Sequence, residues 1–266
     1  VDPDITVALH ISDPHFGTED PRAVNALLAL AEQERPDVVL ASGDITQRAR
    51  AHEFDAARRF FSRLCTRHTI VVPGNHDMPL WDLPRRMLAP FAGFRRVFGP
   101  ELEPRLVAPF IWVAGLVSAR RWRHKDGALS RAQVERTARW LASAPPGALR
   151  VVVAHHPLAA LRWREEDDVL SGARTAMMRW ADAGVHLVLG GHTHTPYALP
   201  VAAGPRRRTV WVAQAGSAVS RRLHAGGTHS VNLLRRSAAG LWRLEQWDLQ
   251  REAGLFTRRQ WREVGL

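Results

Sequence analysis

Five short clusters in this chain carry side chains that bind metals or move protons. They are Asp13-Pro14-His15, Gly43-Asp44, Gly74-Asn75-His76-Asp77, His155-His156-Pro157 and Gly191-His192-Thr193-His194. Imidazole, carboxylate and amide oxygen together suit Mn, Fe or Zn better than an all-oxygen Mg site would. Asp13, His15, Asp44, Asn75, His155, His192 and His194 are more ligands than one ion needs. If Asp44 bridges through its two oxygens, four protein ligands fall to each of two ions. A pair of ions about 3.5–4 Å apart is the usual clamp for phosphoryl hydrolysis. Each cluster alone has a plainer reading. Asp-x-His is an ordinary loop, and Gly43-Asp44 a turn. Gly-Asn-His-Asp fits a tight turn around a hydrogen-bonded histidine, and Gly-His-x-His fits a single ion. Their shared position at strand ends argues for one site.

That position comes from the elements between them. Ile5, Val7, Leu9 and Ile11 alternate as in a strand. Asp20-Pro21 then opens a helix with Asp20 as cap and Pro21 in the first position. Val24, Leu27, Leu28 and Ala31 form its apolar face, and it ends near Pro36. A second strand spans Asp37 to Ala41, a second helix Glu53 to Cys65, and a third strand Thr69 to Val72. Asp13, Asp44 and Asn75 are spaced 31 residues apart, about one strand-helix-strand unit. The region from Trp81 to Pro109 reads as short helices and a long loop. Strands follow at Phe110–Leu116, Arg150–Ala154 and Val185–Leu189. Between them lie a helix capped by Ser130 and Gln133 and a second from Ala173 to Ala183. This alternation predicts an α/β sheet with functional residues at the carboxyl ends of its strands. Thr209–Ala213, Ser230–Leu234 and Leu241–Trp247 read as strands of a second, more antiparallel sheet.

In this order and setting the clusters resemble the calcineurin-like metallophosphoesterase superfamily, over about Ile5 to His194. The resemblance implies a four-layer αββα sandwich with a dinuclear site at the ends of the central strands. It places Asp13, His15, Asp44 and His194 on one ion, and Asp44, Asn75, His155 and His192 on the other. His76 then faces the phosphoryl group from outside the metal pair, and Asp77 holds its other ring nitrogen. The surrounding runs His10-Ile11-Ser12-Asp13, Ser42-Gly43-Asp44-Ile45-Thr46 and His155-His156-Pro157 are most similar to bacterial class III cyclic nucleotide phosphodiesterases. The expected reaction is in-line attack by a hydroxide shared between the ions, with His76 as acid or transition-state stabiliser. Fe and Mn are the metals the resemblance implies, with Zn an alternative. The expected substrate is a 3′,5′-cyclic nucleotide, with broader phosphodiester hydrolysis. A nuclease, a lipid-linked pyrophosphate hydrolase and a non-catalytic scaffold are the other readings.

Substrate contacts are less determined. Ser118 to Lys125 could set Arg120 and Trp122 against a phosphate and a base, or be a solvated basic loop. His156 is a neighbour of the ligands or a substrate contact. Arg221, Arg222 and His224 form a rim or, more simply, a solvated basic turn. The chain has 266 residues, a net charge of +11 and one lysine, Lys125. An arginine-rich surface attracts anions without choosing among nucleotides, nucleic acid and lipid surfaces. A nucleotide-like small molecule is favoured over nucleic acid. One domain, 1–266, is the economical count, as monomer or homodimer. Cys65 has no partner for an internal disulfide, which points to a reducing compartment. No signal-type stretch follows Val1-Asp2-Pro3, and no apolar run is long enough to span a membrane. The expectation is a cytoplasmic protein.

Overall fold

The computed structural model describes residues 5–64, 66–161, 167–224 and 226–266. Val1, Asp2, Pro3 and Cys65 lie outside the described residues. Strand β1 (Val7–Ile11) leads through α1 (Pro21–Glu34), β2 (Val38–Ala41) and α2 (Ala51–Arg63) to β3 (His68–Val71). Two short helices, α3 (Leu83–Leu88) and α4 (Ala92–Phe98), precede β4 (Arg105–Ala108) and β5 (Ile111–Leu116). Then come α5 (Arg131–Ala142), β6 (Leu149–Ala154), α6 (Ala173–Asp182) and β7 (Leu187–Gly190). The remainder is β8 (Tyr197–Ala203), β9 (Arg208–Gln214), β10 (Ser230–Arg236), β11 (Trp242–Gln250) and β12 (Leu255–Val264).

The starts of α1 and α5 are those the sequence signals, while α2 begins at Ala51, two residues before the expected Glu53. The Asp20 carboxylate accepts the Arg22 N–H at 2.9 Å, with Pro21 in the first turn. Ser130 and Gln133 cap α5 reciprocally, each side chain accepting from the other's backbone N–H. The buried face of α1 is Ala23, Ala26, Leu27, Leu30 and Ala31, whereas Val24 and Leu28 are only partly buried. Small side chains at Ala23 and Ala26 turn that face toward the sheet because they let the helix approach it closely.

Two mixed six-stranded sheets form, in the orders β12-β11-β10-β1-β2-β3 and β4-β5-β6-β7-β9-β8. β1, β2 and β3 are parallel, as are β5, β6, β7 and β9. Strand alternation sets the layers. Ala8, Val38, Leu40 and Ile70 pack inward against Val113, Val151, Val153, Leu187 and Leu189 of the other sheet. Leu9, Ile11, Val39 and Ala41 face outward against Leu27 of α1 and Phe54, Ala57 and Phe60 of α2. On the opposite side Val152, Val188, Val210 and Val212 pack under Val134, Leu141, Met177 and Trp180 of α5 and α6. The result is the expected helix–sheet–sheet–helix sandwich. Each fully buried large side chain in it contributes about 1.5–3 kcal/mol over leaving it exposed.

The tail differs from the expectation. Its strands do not form a sheet of their own: β8 and β9 complete one sheet, and β10, β11 and β12 extend the other. β9 even runs parallel to β7. Three strands without a clear sequence signal, β4, β8 and β12, are all edge strands. Edges need little apolar alternation: β12 is mostly exposed, and β8 carries Pro200, which an edge tolerates. Among the described residues, no helix is long and apolar enough to cross a membrane.

Candidate metal centre

The loops that follow β1, β2 and β3 in one sheet, and β6 and β7 in the other, meet along one edge of the sandwich. They are tied backbone to backbone: Asp13 N–H to Gly43 O at 3.1 Å, His15 N–H to Asp44 O at 3.1 Å, and Gly191 N–H to His155 O at 2.9 Å. Asp13, His15, Asp44, His192 and His194 all have positive φ, between 42° and 71°. That left-handed region is costly for residues with a Cβ and concentrates at functional sites. Two glycines permit the closeness. A Cβ at Gly74 would lie 2.2 Å from Asp44 Oδ1, and one at Gly191 would lie 2.2 Å from Asp13 Oδ2.

The donor atoms converge without bonding one another well. His155 Nδ1 sits 2.9 Å from the Ser42 carbonyl, so it must carry the proton and donate it. Its Nε2 lone pair then faces Asp44 Oδ1 at 3.3 Å, Asn75 Oδ1 at 3.2 Å and His192 Nδ1 at 3.3 Å. His194 likewise donates from Nδ1 to the Arg222 carbonyl at 2.6 Å. Its Nε2 faces His15 Nε2 at 3.3 Å and Asp13 Oδ1 at 3.5 Å. His15 Nε2 is 3.6 Å from both Asp13 Oδ1 and Asp44 Oδ2. Acceptors crowded against acceptors repel. Ligands each about 2.1 Å from a shared tetrahedral ion, however, sit about 3.4 Å apart. Asp13 Oδ1, His15 Nδ1 and His192 Nε2 are buried without any hydrogen-bond partner.

Electrostatics tells the same story. Asp13 is fully buried and Asp44 is 2% exposed. Burial raises the pKa of each, yet the surrounding imidazoles outweigh it and hold both carboxyls well below the usual range. Burial lowers the pKa of His155, but Asp44 and Asp13 outweigh it and push the imidazole up to about 9. The pocket therefore calls for positive charge, which a proton or a metal ion can supply. Two donor groups result, sharing Asp44: Asp13, His15 and His194 on one side, and Asn75, His155 and His192 on the other. They are fit to hold two metal ions.

The family model for calcineurin-like phosphoesterases matches residues 7–196. The chain belongs to that family. No curated protein matches it. Among solved structures, a dimetal phosphatase from Danio rerio aligns with a TM-score of 0.65 at 14% identity, covering 98% of this chain and 99% of its own. Purple acid phosphatase PPD1 from yellow lupin seeds gives 0.70 at 12% identity, covering 97% of this chain and 53% of its own. GAP50, the anchor in the inner membrane complex of Plasmodium, gives 0.62 at 10% identity, covering 98% and 89%. At such identities the likeness concerns the fold.

Around this centre several expectations need correcting. Asp77 does not hold the His76 ring. Its carboxylate accepts the N–H groups of Ile45, Thr46 and Gly74 and the Thr46 hydroxyl, and so staples the loops after β2 and β3. Burial, then the nearby Asp44 charge, raises its pKa to about 7. The His76 ring is held by the Gln47 carbonyl instead, at 2.8 Å from Nδ1. His76 Nε2 points into the mouth of the site, 4.0 Å from Asp44 Oδ2. His156 is the expected neighbour of the ligands, with neither ring nitrogen left for a substrate. It is fully buried, with Nδ1 on Ser118 Oγ at 2.7 Å and Nε2 on the Lys125 carbonyl at 2.8 Å. Its ring braces the loop of residues 118–127. Arg120 is spent internally, on the Val117 carbonyl and Gln133 Oε1. Trp122 stands outside the centre, 67% exposed.

Arg222 was undervalued by its sequence setting. Its Nη1 donates to Gln47 Oε1 at 3.1 Å and reaches His76 Nε2 at 3.3 Å, while its carbonyl holds His194. Nothing in Ser220-Arg221-Arg222-Leu223 separates it from any basic turn. Only the folded contact does.

Proposed function

We propose that this chain is a metal-dependent phosphodiesterase acting on 3′,5′-cyclic nucleotides, with activity on simpler phosphodiesters. The observation that carries the reading is the set of buried, mutually repelling donors beside an accessible His76. In this reading Asp13, His15, Asp44 and His194 hold one ion, and Asp44, Asn75, His155 and His192 the other. Fe and Mn suit the mixed nitrogen and oxygen ligands. When bound, such ions supply charge neutralisation for the phosphate and acidify water.

The chain's own groups complete the chemistry. His76, oriented by Gln47, presents Nε2 to the mouth, and in its doubly protonated form, with Arg222 turned to the phosphate, Nε2 can give a proton to the leaving ester oxygen. Arg222 offers N–H groups to a phosphate oxygen, a charge-assisted bond that fixes the diester against the mouth. The mouth is bordered by Gln47, Arg48, Met78, Leu80 and His124. It has polar groups for the phosphate and an apolar flank for the organic part. The cyclic nucleotide assignment is supported by the runs His10-Ile11-Ser12-Asp13 and Ser42-Gly43-Asp44-Ile45-Thr46.

The test is steady-state hydrolysis after stripping the protein and restoring Mn, Fe, Zn or Mg. The panel holds 3′,5′-cyclic AMP, 2′,3′-cyclic AMP, an aryl phosphodiester, a phosphomonoester and single-stranded DNA, with Asn75→Ala as control. Metal-dependent turnover of 3′,5′-cyclic AMP that the control loses is the expected result. Turnover of the aryl diester or DNA alone removes the cyclic nucleotide assignment. Two bound ions without turnover of anything would leave a binding scaffold.

A further inference from the structure

The most unusual surface of the molecule lies next to this mouth. Trp81 is 85% exposed, Leu88 86%, Leu83 62%, Met87 44% and Trp122 67%. Surface apolar residues are ordinary when scattered, but a large apolar patch marks an interaction site. These five belong to one cap. Arg86 is buried at its centre and donates to the carbonyls of Pro79, Arg121 and Arg123. Arg121 returns a hydrogen bond to the Met87 carbonyl. Helix α3 and the 120–125 loop are thereby cross-tied, and Trp122 sits between the two loop carbonyls that Arg86 grips. The cap is anchored to the metal centre on its inner side. Asn75 Nδ2 donates to the His124 carbonyl, and His156 holds that of Lys125.

The charges of the cap choose among occupants. Arg85 and Arg121 are its exposed guanidinium groups and Arg123 is half-buried, whereas Arg86 is buried, Arg120 is held by Gln133 and Lys125 pairs with Asp168; two aspartates, Asp82 and Asp126, stand against them. One aspartate, Asp82, is engaged in capping α3. Single-stranded nucleic acid is bound by a positively charged groove along the backbone with aromatic rings on which successive bases stack. Here two indoles share the face with Leu83, Met87 and Leu88. Indoles and aliphatic side chains flanked by exposed arginines are what the boundary of an anionic bilayer accommodates: the apolar groups enter the acyl boundary and the guanidinium groups meet lipid phosphates. We propose that this cap is a docking face for anionic membrane surfaces, which sets the mouth of the site against the lipid headgroups. The inference stands on the cap alone, whatever diester the centre hydrolyses.

The experiment is co-sedimentation of the full chain with vesicles of phosphatidylcholine, with or without about one-third phosphatidylglycerol. Tryptophan emission is recorded in parallel. The expected result is binding to the anionic vesicles, with blue-shifted emission, and weak binding to neutral ones. The double variant Trp81→Ser/Leu88→Ser should lose at least tenfold in partitioning, and Arg85→Glu should lose several-fold with a weaker salt dependence. Trp261→Ser removes an exposed indole outside the cap and should bind as the parent does. Circular dichroism and thermal unfolding establish that each variant folds. Parent protein that ignores anionic vesicles overturns the proposal. So does a folded double variant that binds them undiminished. A parent dimer dissolved by the double variant would make the face a contact between copies and would equally overturn it.

Discussion

A single methyl group should disable the metal centre from behind. In Gly74→Ala the new Cβ would lie 2.2 Å from Asp44 Oδ1 and 2.4 Å from the Asp44 backbone nitrogen. Restoring ordinary van der Waals separation requires a retreat of roughly 1 Å. Rotating the Asp44 side chain cannot provide it, because the backbone nitrogen is in the way too. Asp44 itself is held at φ 50°, with its carbonyl bonded to His15 N–H and its Oδ1 to His76 N–H. The strain therefore falls on the residue shared by both donor groups. A displacement of this size costs on the order of 100-fold in turnover, about 2.7 kcal/mol. Disturbing the support of a ligand costs about 10–100-fold in metal affinity. Overpacking adds about 1–3 kcal/mol of lost stability. Calorimetric Mn titration, metal content after gel filtration and apo-protein thermal unfolding give the readouts. Gly265→Ala is the control, since its Cβ meets nothing within 4 Å. A folded Gly74→Ala protein that binds two Mn with unchanged affinity would refute the steric reasoning.

Other outcomes follow from the same geometry. Arg222→Gln should raise KM for phosphodiesters and weaken inorganic phosphate binding by about 10–150-fold, the worth of a charge-assisted hydrogen bond. Arg222→Lys should recover part of that, and phosphate affinity equal to the parent's would show that the guanidinium does not meet substrate. Stripping metal should lower the unfolding temperature by about 10 °C, because ions a thousandfold above Kd stabilise by about 4 kcal/mol. Differential scanning calorimetry with and without chelator checks this, and identical scans would contradict it. His186 accepts the Arg150 N–H through Nδ1. Burial, then Arg150 and Arg208, lower its pKa to about 4. Between pH 6.5 and 4 the unfolded chain therefore binds the extra proton, so this contribution is complete above pH 6.5 and shrinks as pH falls. The limiting slope is about 1.4 kcal/mol per pH unit. Urea unfolding at pH 7 and 5 should show the loss in the parent and a smaller one in His186→Asn.

The central elements were legible because they are over-determined locally. Ile5 to Ile11 alternates cleanly, Asp20-Pro21 and Ser130/Gln133 announce helix starts, and the ligand clusters follow buried strands directly. The edge strands β4, β8 and β12 were not, since a strand with one neighbour and one solvated side needs little apolar pattern. The tail's split between two sheets was equally invisible, because strand pairing is a long-range choice that alternation does not encode.

The sequence by itself singled out seven residues whose side chains could hold metal, and showed that a 31-residue spacing carries Asp13, Asp44 and Asn75 to successive strand ends. Residue type and period are local properties. Tertiary structure alone decided what each remaining side chain does. It spent Asp77 on three backbone N–H groups, locked His156 between Ser118 and Lys125, and tied Arg120 to Gln133. It also carried Arg222 across 146 residues to His76. A histidine or arginine reads alike in a sequence whether its nitrogens are satisfied or free. Only the fold fixes the partners within hydrogen-bonding reach.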